Sequence, residues 1–410
     1  MLKICHAAYA VLIAVGTAAM SPAIAQQEGG EGPLEKITAA ATENRLRLDY
    51  DGETFSGPAW DALVDEAALA QFFLIGEEHG ISENPLLAAQ LFTRLADDGY
   101  EHLVIETSPA MASILDEALR EDGLDGLRAL YAQRGGEPAF FGMEEEAELL
   151  AAARATSNAK SPVLLGVDYE VASDPVLLQR LQEKRKPKAA SAAMDALVAA
   201  SDDAWAKYFK ASGPQFIFSF SGDPELVRAV EAAWPNRDEE AAWILDTIEE
   251  TLEINRRWVS GEGWQSNARR AALLRSNFLR HWRDHASRRG DGPKMMLKLG
   301  ASHLVRGRNM VETFDLGALL PEIAAMADKR TVSLFVVPGP GSMTAVLNPT
   351  NWTYVEAPGK DSYAKDLGAV MDAAFDDGFT LIDLRALRPH MRPQLADAHV
   401  DLARIIHGFD

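Results

Sequence analysis

The sequence is short of cysteine, because its 410 residues include only one, Cys5. Cys5 lies in an N-terminal segment whose only charge is Lys3; the segment continues as a short apolar stretch and ends in an A-x-A cleavage site, Ala23-Ile24-Ala25. These features predict a secretory signal peptide over residues 1–25 and an exported protein, either periplasmic or secreted. The exported chain would contain no thiol and no disulfide, so an ordinary apolar core must stabilise it.

Long apolar runs and basic residues are also scarce. The apolar part of the N-terminal segment is too short and too rich in Ala and Gly for a membrane span, so we expect no stable span once the signal is removed. Lys and Arg number 40 against 61 Asp and Glu, a formal charge of −21 that becomes about −22 without Lys3. An acidic chain repels phosphate backbones, which argues against a nucleic-acid partner. The expected partner is a small-molecule substrate, which the charge itself does not indicate.

Three common catalytic signatures are missing from the sequence. It contains no G-x-S-x-G elbow, no P-loop and no G-x-G-x-x-G, which argues against a serine hydrolase of that type, a P-loop nucleotide hydrolase and a dinucleotide-binding domain. The glycines and prolines of Pro338–Gly341 favour a turn after a strand.

What the sequence does contain is an alternation of apolar runs and helical stretches. Six runs have the length and composition of strands: Phe72–Ile75, His102–Ile105, Val163–Val167, Met295–Leu299, Val332–Val337 and Phe379–Ile382. Such an alternation is typical of an α/β fold with a largely parallel sheet flanked by helices.

Helices are predicted between these strands. Asn84-Pro85 and Ser108-Pro109 each offer a cap followed by a proline in the first turn, and Glu144–Ser157 forms a helix that leads into the third strand. The region from about 171 to 290 has helical periodicity and no strand signal. We therefore predict a single domain over residues 26–410, with a helical insertion before the fourth strand.

Ionisable residues follow each of the first four predicted strands. Glu77, Glu78 and His79 follow the first, Glu106 the second, Asp168 and Glu170 the third, and His303 the fourth. Because the carboxyl ends of parallel strands lie on one edge of a sheet, these side chains should converge where open α/β sheets bind ligands. Neighbours on an extended chain point to opposite sides, so Glu77 and His79 should share a side, which makes Glu78 the weakest candidate of the group. The sequence alone leaves open which of Glu77 and Glu78 faces the site.

Two imidazoles among several carboxylates can catalyse hydrolysis in two ways. They can hold a divalent ion with an open position, whose bound water is acidified for attack. Alternatively, a histidine oriented by a carboxylate can act directly as general base on water. The helical pair His281 and His285 has the spacing of metal ligands too, but the charges around it favour a solvated face.

The motifs resemble those of the erythromycin esterase-like, ChaN-like and Tiki-like superfamily. The resemblance rests on two G-x-x-H motifs, Gly76–His79 and Gly300–His303, on Glu106, and on the G-x-D of Gly166–Asp168. Two helical segments, "EEEAELLAAARATSN" from Glu144 and "RAALLRSN" from Arg270, are similar to helices of the esterase branch. The spacing within both G-x-x-H motifs is that of the ChaN-like and Tiki-like branches.

The resemblance implies an α/β fold with its site at the sheet edge and three alternative activities. The esterases cleave esters with a histidine base. The Tiki-like members are metal-dependent peptidases, and here His79, Glu106 and His303 would be the ligands of manganese, cobalt or zinc. The ChaN-like members bind haem, for which Tyr169 is the candidate axial ligand and the aromatic residues of the insertion, from Trp205 to Phe220, the candidate lining.

The leading hypothesis is an exported hydrolase that cleaves a carboxylic ester or a related acyl bond. His79 would be the general base, oriented by Glu77 or Glu106. His303 would polarise the acyl oxygen or help to hold a metal. Asp168 would orient a partner, and Arg270 would stabilise the oxyanion as a fixed positive charge.

Overall fold

The computed structural model describes residues 32–157, 161–211, 213–289, 292–339, 341–348, 353–358 and 367–410. The predicted signal peptide, residues 1–25, lies outside these ranges. Residues Pro33–Asp410 form one compact unit. Within the described ranges, no helix combines the length and the apolar character needed to cross a membrane.

Ten strands are present in the described ranges. They are β1 (Arg45–Tyr50), β2 (Phe55–Ser56), β3 (Phe72–Glu77), β4 (Tyr100–Ile105), β5 (Leu164–Gly166), β6 (Lys294–Gly300), β7 (Thr331–Val336), β8 (Met343–Asn348), β9 (Thr353–Pro358) and β10 (Phe379–Ile382).

The helices of the described ranges lie before, between and after these strands. They are α1 (Pro33–Glu43), α2 (Pro58–Ala68), α3 (Glu83–Leu95), α4 (Pro109–Tyr131), α5 (Glu144–Ala155), α6 (Asp174–Glu183), α7 (Lys188–Ala211), α8 (Phe218–Ser221), α9 (Pro224–Ala233), α10 (Glu239–Val259), α11 (Gly263–Arg289), α12 (Leu316–Ala325), α13 (Gly368–Met371), α14 (Pro393–Ala398) and α15 (Val400–Gly408). A short 3-10 turn, Ala301–His303, directly follows β6.

The main sheet has five parallel strands in the order β5-β4-β6-β3-β7. Its strands are largely apolar because helices cover both faces. Successive residues of β3 show the alternation: Phe73 and Ile75 pack in the layer beneath α2 to α5, while Phe72 and Leu74 pack in the layer beneath α1, α11, α12 and α15. The prediction of a largely parallel sheet flanked by helices is confirmed.

Five of the six predicted strands lie in this sheet, and the sixth does not. Phe379–Ile382 is a strand, but it pairs antiparallel with β1 in a separate small sheet of order β10-β1-β2. The sequence analysis did not find β1 and β2, nor the antiparallel hairpin formed by β8 and β9.

The predicted helical insertion is present as the helices α6 to α11, with no strand in the described part of this region. Its own apolar core includes Phe218, 1% exposed. Trp205 and Tyr208 are also buried in the insertion, whereas Phe209 is 67% exposed. These aromatic residues are therefore mostly part of the packing of the insertion rather than the walls of an open pocket.

The prediction that His281 lies on a solvated face is wrong. Its side chain is buried, and Nε2 donates a hydrogen bond to the carbonyl of Gly166 at 2.9 Å. The helix α11 lies on the sheet, so this side chain points inward despite its charged neighbours in sequence. Burial lowers the pKa of His281, and it lowers that of the nearby buried His102 to about 3. Both imidazoles are therefore neutral at physiological pH.

Candidate active site

The carboxyl-terminal edge of the main sheet collects the predicted site residues. The four strands that carry them, β5, β4, β6 and β3, are consecutive neighbours in the sheet. Glu77 ends β3 opposite Gly300 of β6, and Glu106 follows β4. Glu77, Glu106 and Asp168 are each 5% exposed or less. This edge is therefore an acidic, largely water-excluded site.

His79 lies between two of these carboxylates. Its Nδ1 is 3.0 Å from Glu77 Oε1, and its Nε2 is 3.6 Å from Glu106 Oε2. Burial disfavours the imidazolium, but the hydrogen bond to Glu77 and the charges of Glu106 and Glu77 outweigh it and raise the pKa of His79. The side chain is 31% exposed, against 3% for each glutamate. His79 is thus the ionisable side chain of this group that solvent and a substrate can best reach.

His303 contacts the same glutamate from the other side. Its Nε2 is 3.4 Å from Glu106 Oε1, and its Nδ1 is 2.7 Å from Asp315 Oδ2. Burial and the charge of Arg270 disfavour the imidazolium, yet Glu106 and Asp315 raise the pKa of His303 to about 10. His303 is therefore a cation at neutral pH, and the two imidazoles flank the two oxygens of Glu106.

Arg270 joins two of the carboxylates. The helix α11 places its Nη2 2.9 Å from Glu106 Oε1 and its Nε 2.9 Å from Asp168 Oδ1, and Nη2 also bonds Asp168. The guanidinium lies 4.6 Å from the centre of the Tyr169 ring. Burial alone would raise the pKa of Glu106, but the cations His303, His79 and Arg270 hold it well below its usual range. Glu106 is therefore ionised.

Five residues of this site were not found by sequence reasoning. They are Asn84, Phe140, Glu146, Lys298 and Asp315. A signal existed for one of them, since Lys298 interrupts the otherwise apolar run of β6 and is fully buried there. Asn84 and Glu146 lie on predicted helices without a signal that marks them as site residues, and Phe140 and Asp315 lie in loops that carry no motif.

Glu146, rather than the neighbouring Glu145, points towards the site. The segment that resembles the helix before the third strand of the esterases is α5, in which Glu145 is partly exposed. Glu146 is buried, and its Oε1 accepts a hydrogen bond from Lys298 at 2.7 Å. The contact links α5 to the floor of the site.

The ring of Phe140 covers one face of His79. The two ring centres are 4.0 Å apart, and the ring planes are within 11° of parallel. Phe140 has a φ of 68°, a left-handed conformation that costs about 1–3 kcal/mol in a residue other than glycine. The loop thus accepts backbone strain at the position where its side chain orients the imidazole.

Because Gly300 has no side chain, the imidazole of His79 and the carboxylate of Glu106 can occupy the space beside it. A Cβ at this position would lie 3.0 Å from His79 Nε2 and 3.3 Å from Glu106 Oε2. A side chain here would have to push His79 away from Glu106. The glycine of the second G-x-x-H motif is therefore required by the close approach of His79.

Replacing Gly300 by alanine is expected to displace His79 and to lower the activity by about 100-fold, the cost of misplacing a reacting group by roughly 1 Å. The measurement is kcat/KM on the best substrate, with thermal denaturation to verify the fold. Gly368→Ala is the matched control, because a Cβ there meets no atom within 4 Å. Equal activity in both variants would show that His79 does not depend on this space.

The residues at this edge do not fit a bound metal ion. The one set of three potential ligands found among the described residues is Glu106, Asp168 and His303, whose ligand atoms lie within 4.8 Å of one another. The predicted set had His79 in place of Asp168. In both sets Glu106 Oε1 is already engaged by Arg270 and His303, and Glu106 Oε2 accepts a hydrogen bond from the backbone N–H of Gly300. A divalent cation would have to compete with a guanidinium and with an imidazolium proton.

The surroundings of Tyr169 do not fit a haem ligand either. A tyrosine binds haem iron through its deprotonated oxygen, and burial raises the pKa of Tyr169. The guanidinium of Arg270 also covers its ring. Of two surface cavities of about 420 and 480 Å³, neither is lined by Tyr169.

The cavity of about 420 Å³ borders the site at Asp168. It lies between α10 and α11, and its lining includes Trp243, Asp246, Asn277 and Arg280. Aromatic, acidic, amide and guanidinium groups thus line it together, a combination suited to a polar ligand. It does not include His79, so it offers space next to the site rather than at the imidazole.

Comparison with known proteins relates this chain to others by fold. No protein-family model matches the sequence, and no curated protein matches it significantly. Three solved structures are similar. A Bacillus cereus protein has 15% identity and a TM-score of 0.54, covering 86% of each chain. A mutant of the erythromycin esterase EreC in its open conformation has 18% identity and a TM-score of 0.52, covering 77% of this chain and 83% of EreC.

The third similar structure is described as a succinoglycan biosynthesis protein. It has 15% identity and a TM-score of 0.51, covering 81% of this chain and 82% of that protein. At these identities the similarity establishes a shared fold. The resemblance to erythromycin esterase-like proteins that the sequence motifs predicted is confirmed at that level.

Proposed function

We propose that this chain is a hydrolase that cleaves a carboxylic ester or a related acyl bond of a small-molecule substrate, with His79 as general base. The observation that carries the proposal is the geometry of His79. Its Nδ1 is held by Glu77 at 3.0 Å, and its side chain is the accessible one among buried carboxylates. A base oriented by a carboxylate and open to solvent is the arrangement that activates water.

The reaction follows from the atoms present. In its neutral form His79 takes a proton from a water molecule through Nε2, and the hydroxide attacks the acyl carbon. The bond between the acyl carbon and the alkoxy oxygen of the tetrahedral intermediate then breaks. The leaving alkoxide takes the proton from Nε2 of His79. Water is thus divided between the acid and alcohol products, and His79 returns to its neutral form.

His303 supplies the positive charge for the intermediate in this proposal. Its pKa of about 10 means that His303 is still an imidazolium when His79 is in its neutral, reactive form. Both imidazoles contact Glu106. A preorganised cation beside the acyl oxygen stabilises the developing oxyanion. Arg270 bonds Glu106 and Asp168 through Nε and Nη2, so it neutralises these buried carboxylates as well as adding the fixed positive charge that the sequence analysis predicts for it.

The fold shared with EreC supports ester hydrolysis without identifying the substrate. The name of that structure describes an erythromycin esterase, and the identity is 18%. We propose export from the sequence of residues 1–25, which places the reaction in the periplasm or outside the cell.

The experiment is a hydrolysis assay on purified residues 26–410 after exhaustive chelation. The panel consists of aryl and alkyl carboxylic esters, thioesters and short peptides, and His79→Gln protein is the blank. We expect ester cleavage that survives chelation and is absent from the blank. Activity on peptides alone, restored only by manganese, cobalt or zinc, would overturn the proposal in favour of a metallopeptidase. No cleavage of any acyl substrate would overturn it as well.

A further inference from the structure

A lysine is buried in the floor of the site, in a strand that is otherwise apolar at its centre. Lys298 is 0% exposed at its side chain. Its Nζ donates hydrogen bonds to Glu77 Oε1 at 2.6 Å and to Glu146 Oε1 at 2.7 Å. Burying an ammonium group costs several kcal/mol unless its partners compensate, and an apolar side chain would fill the same space at no such cost. The charge therefore serves something other than packing.

The carboxylate of Glu77 is the point where this lysine meets the general base. Its Oε1 accepts hydrogen bonds from both Lys298 Nζ and His79 Nδ1, and its Oε2 accepts one from Asn84 Nδ2 at 3.2 Å. Burial opposes ionisation, but the charge of Lys298 and the contact with His79 lower the pKa of Glu77 to about 2. An ionised carboxylate can only accept hydrogen bonds. In its neutral form His79 must therefore carry its hydrogen on Nδ1, which leaves the lone pair on Nε2.

Glu146 is the second hydrogen-bond partner of the lysine. Burial raises the pKa of Glu146 to about 7, and its Oε2 has no hydrogen-bond partner among the described residues. Near neutral pH both the protonated and the ionised forms of this carboxyl group are therefore populated. Lys298 and Glu77 then form a nearly neutral pair, with Glu146 as a hydrogen-bond acceptor that adds little negative charge.

We propose that Lys298 and Glu146 are positioning residues of the general base, which through Glu77 hold His79 with Nδ1 protonated and Nε2 free to accept a proton. The inference rests on the proposed function only in assuming that Nε2 takes a proton from water. The tautomer itself is a property of the free protein. The charged groups around His79 are Glu77, Glu106, Lys298 and Glu146, with Arg270 and His303 behind Glu106.

The first test is the tautomer of His79 in the protein without substrate, read from the imidazole nitrogen shifts by NMR and followed through a pH titration. The His79→Gln protein assigns the signal. In the wild type we expect the Nδ1–H tautomer. In Lys298→Met we expect a mixture of tautomers and a raised His79 pKa, because the charge of Lys298 lowers it.

The kinetic counterpart separates positioning from binding. Lys298→Met should lower kcat at neutral pH by at least about tenfold, a part of what a general base contributes, with little change in KM. The loss should shrink at higher pH as more His79 becomes neutral. Lys294→Met is the matched control, since Lys294 begins the same strand and donates to the carbonyl of Ala68 at 2.6 Å, outside the site.

A second variant keeps the inference testable when Lys298→Met does not fold. The double variant Lys298→Met with Glu146→Leu removes the lysine together with the carboxyl group that would otherwise be left buried without a partner, while Glu77 keeps its hydrogen bonds from His79 and Asn84; this limits the cost of removing the lysine alone. A folded variant of either kind with the wild-type tautomer, His79 pKa and kcat would overturn the inference. An altered tautomer in a protein whose wild type cleaves no acyl bond would support the inference and refute the proposed function.

Discussion

Replacing His79 by glutamine is expected to lower kcat/KM for acyl hydrolysis by about 10²- to 10⁴-fold, the usual contribution of a positioned general base. Glutamine keeps a similar size and hydrogen bonding to Glu77 but cannot take a proton from water. The measurement is kcat/KM on the best ester of the panel. His390→Gln is the control, because His390 is exposed and lies far along the chain in a short 3-10 turn.

The pH dependence of the wild type gives a second readout of the same prediction. The neutral form of His79 is required and its pKa is raised above 6.5. The rate should therefore increase with pH, and this increase should be centred above pH 6.5. The imidazolium of His303 is also required, so the rate should fall again near its pKa of about 10. A profile that is flat through both regions would contradict the assignment of both histidines, and a His79→Gln protein with wild-type kcat/KM would contradict that of His79.

Replacing Arg270 by methionine is expected to lower the free energy of unfolding by about 3–5 kcal/mol, the cost of removing one partner from a buried ion pair. Two carboxylates that are 3% and 2% exposed, Glu106 and Asp168, would lose the cation that bonds both. The measurement is chemical denaturation at neutral pH, with activity measured in parallel. We expect activity to be lost even in the fraction that remains folded, since Glu106 would no longer be held between the imidazoles.

The preceding residue on α11 offers a matched control for Arg270. Arg269 bonds Glu250 through two hydrogen bonds of 2.7 and 2.8 Å, but both side chains are about one-third exposed. A surface pair of this kind contributes only about 0–1 kcal/mol, so Arg269→Met should be nearly neutral. Equal destabilisation by the two substitutions would mean that the burial of Glu106 and Asp168 does not set the cost.

The location of the candidate site could be predicted from the sequence because the carboxyl ends of parallel strands lie on one edge of a sheet. Ionisable residues after successive apolar strands must meet at one edge, and the period of two along a strand separates Glu77 from Glu78. The structure agrees, since Glu77 is buried and bonded to His79 while Glu78 is partly exposed. These inferences need only local pattern and topology.

The remaining features depend on contacts that no local pattern encodes. Asp315 reaches His303 from the loop before α12, and Glu146 reaches Lys298 from α5. Which face of a helix meets the sheet decides such contacts, and for His281 the charged neighbours in sequence pointed to the wrong face. Phe379–Ile382 shows the same limit, because strand propensity does not specify the partner strand.

The outer edges of the main sheet are closed in two different ways. At one end, β5 has only three residues. At the other, the backbone N–H of Asp410 donates to Ser333 of β7 at 2.9 Å, and the Ser333 N–H donates to the Asp410 carboxylate at 3.1 Å. Open edges are where sheets of separate molecules join and aggregate. Because β5 is short and Asp410 occupies the backbone N–H and carbonyl of Ser333 on β7, we expect concentrated protein to resist aggregation by strand addition, and truncation of Asp410 to weaken that resistance.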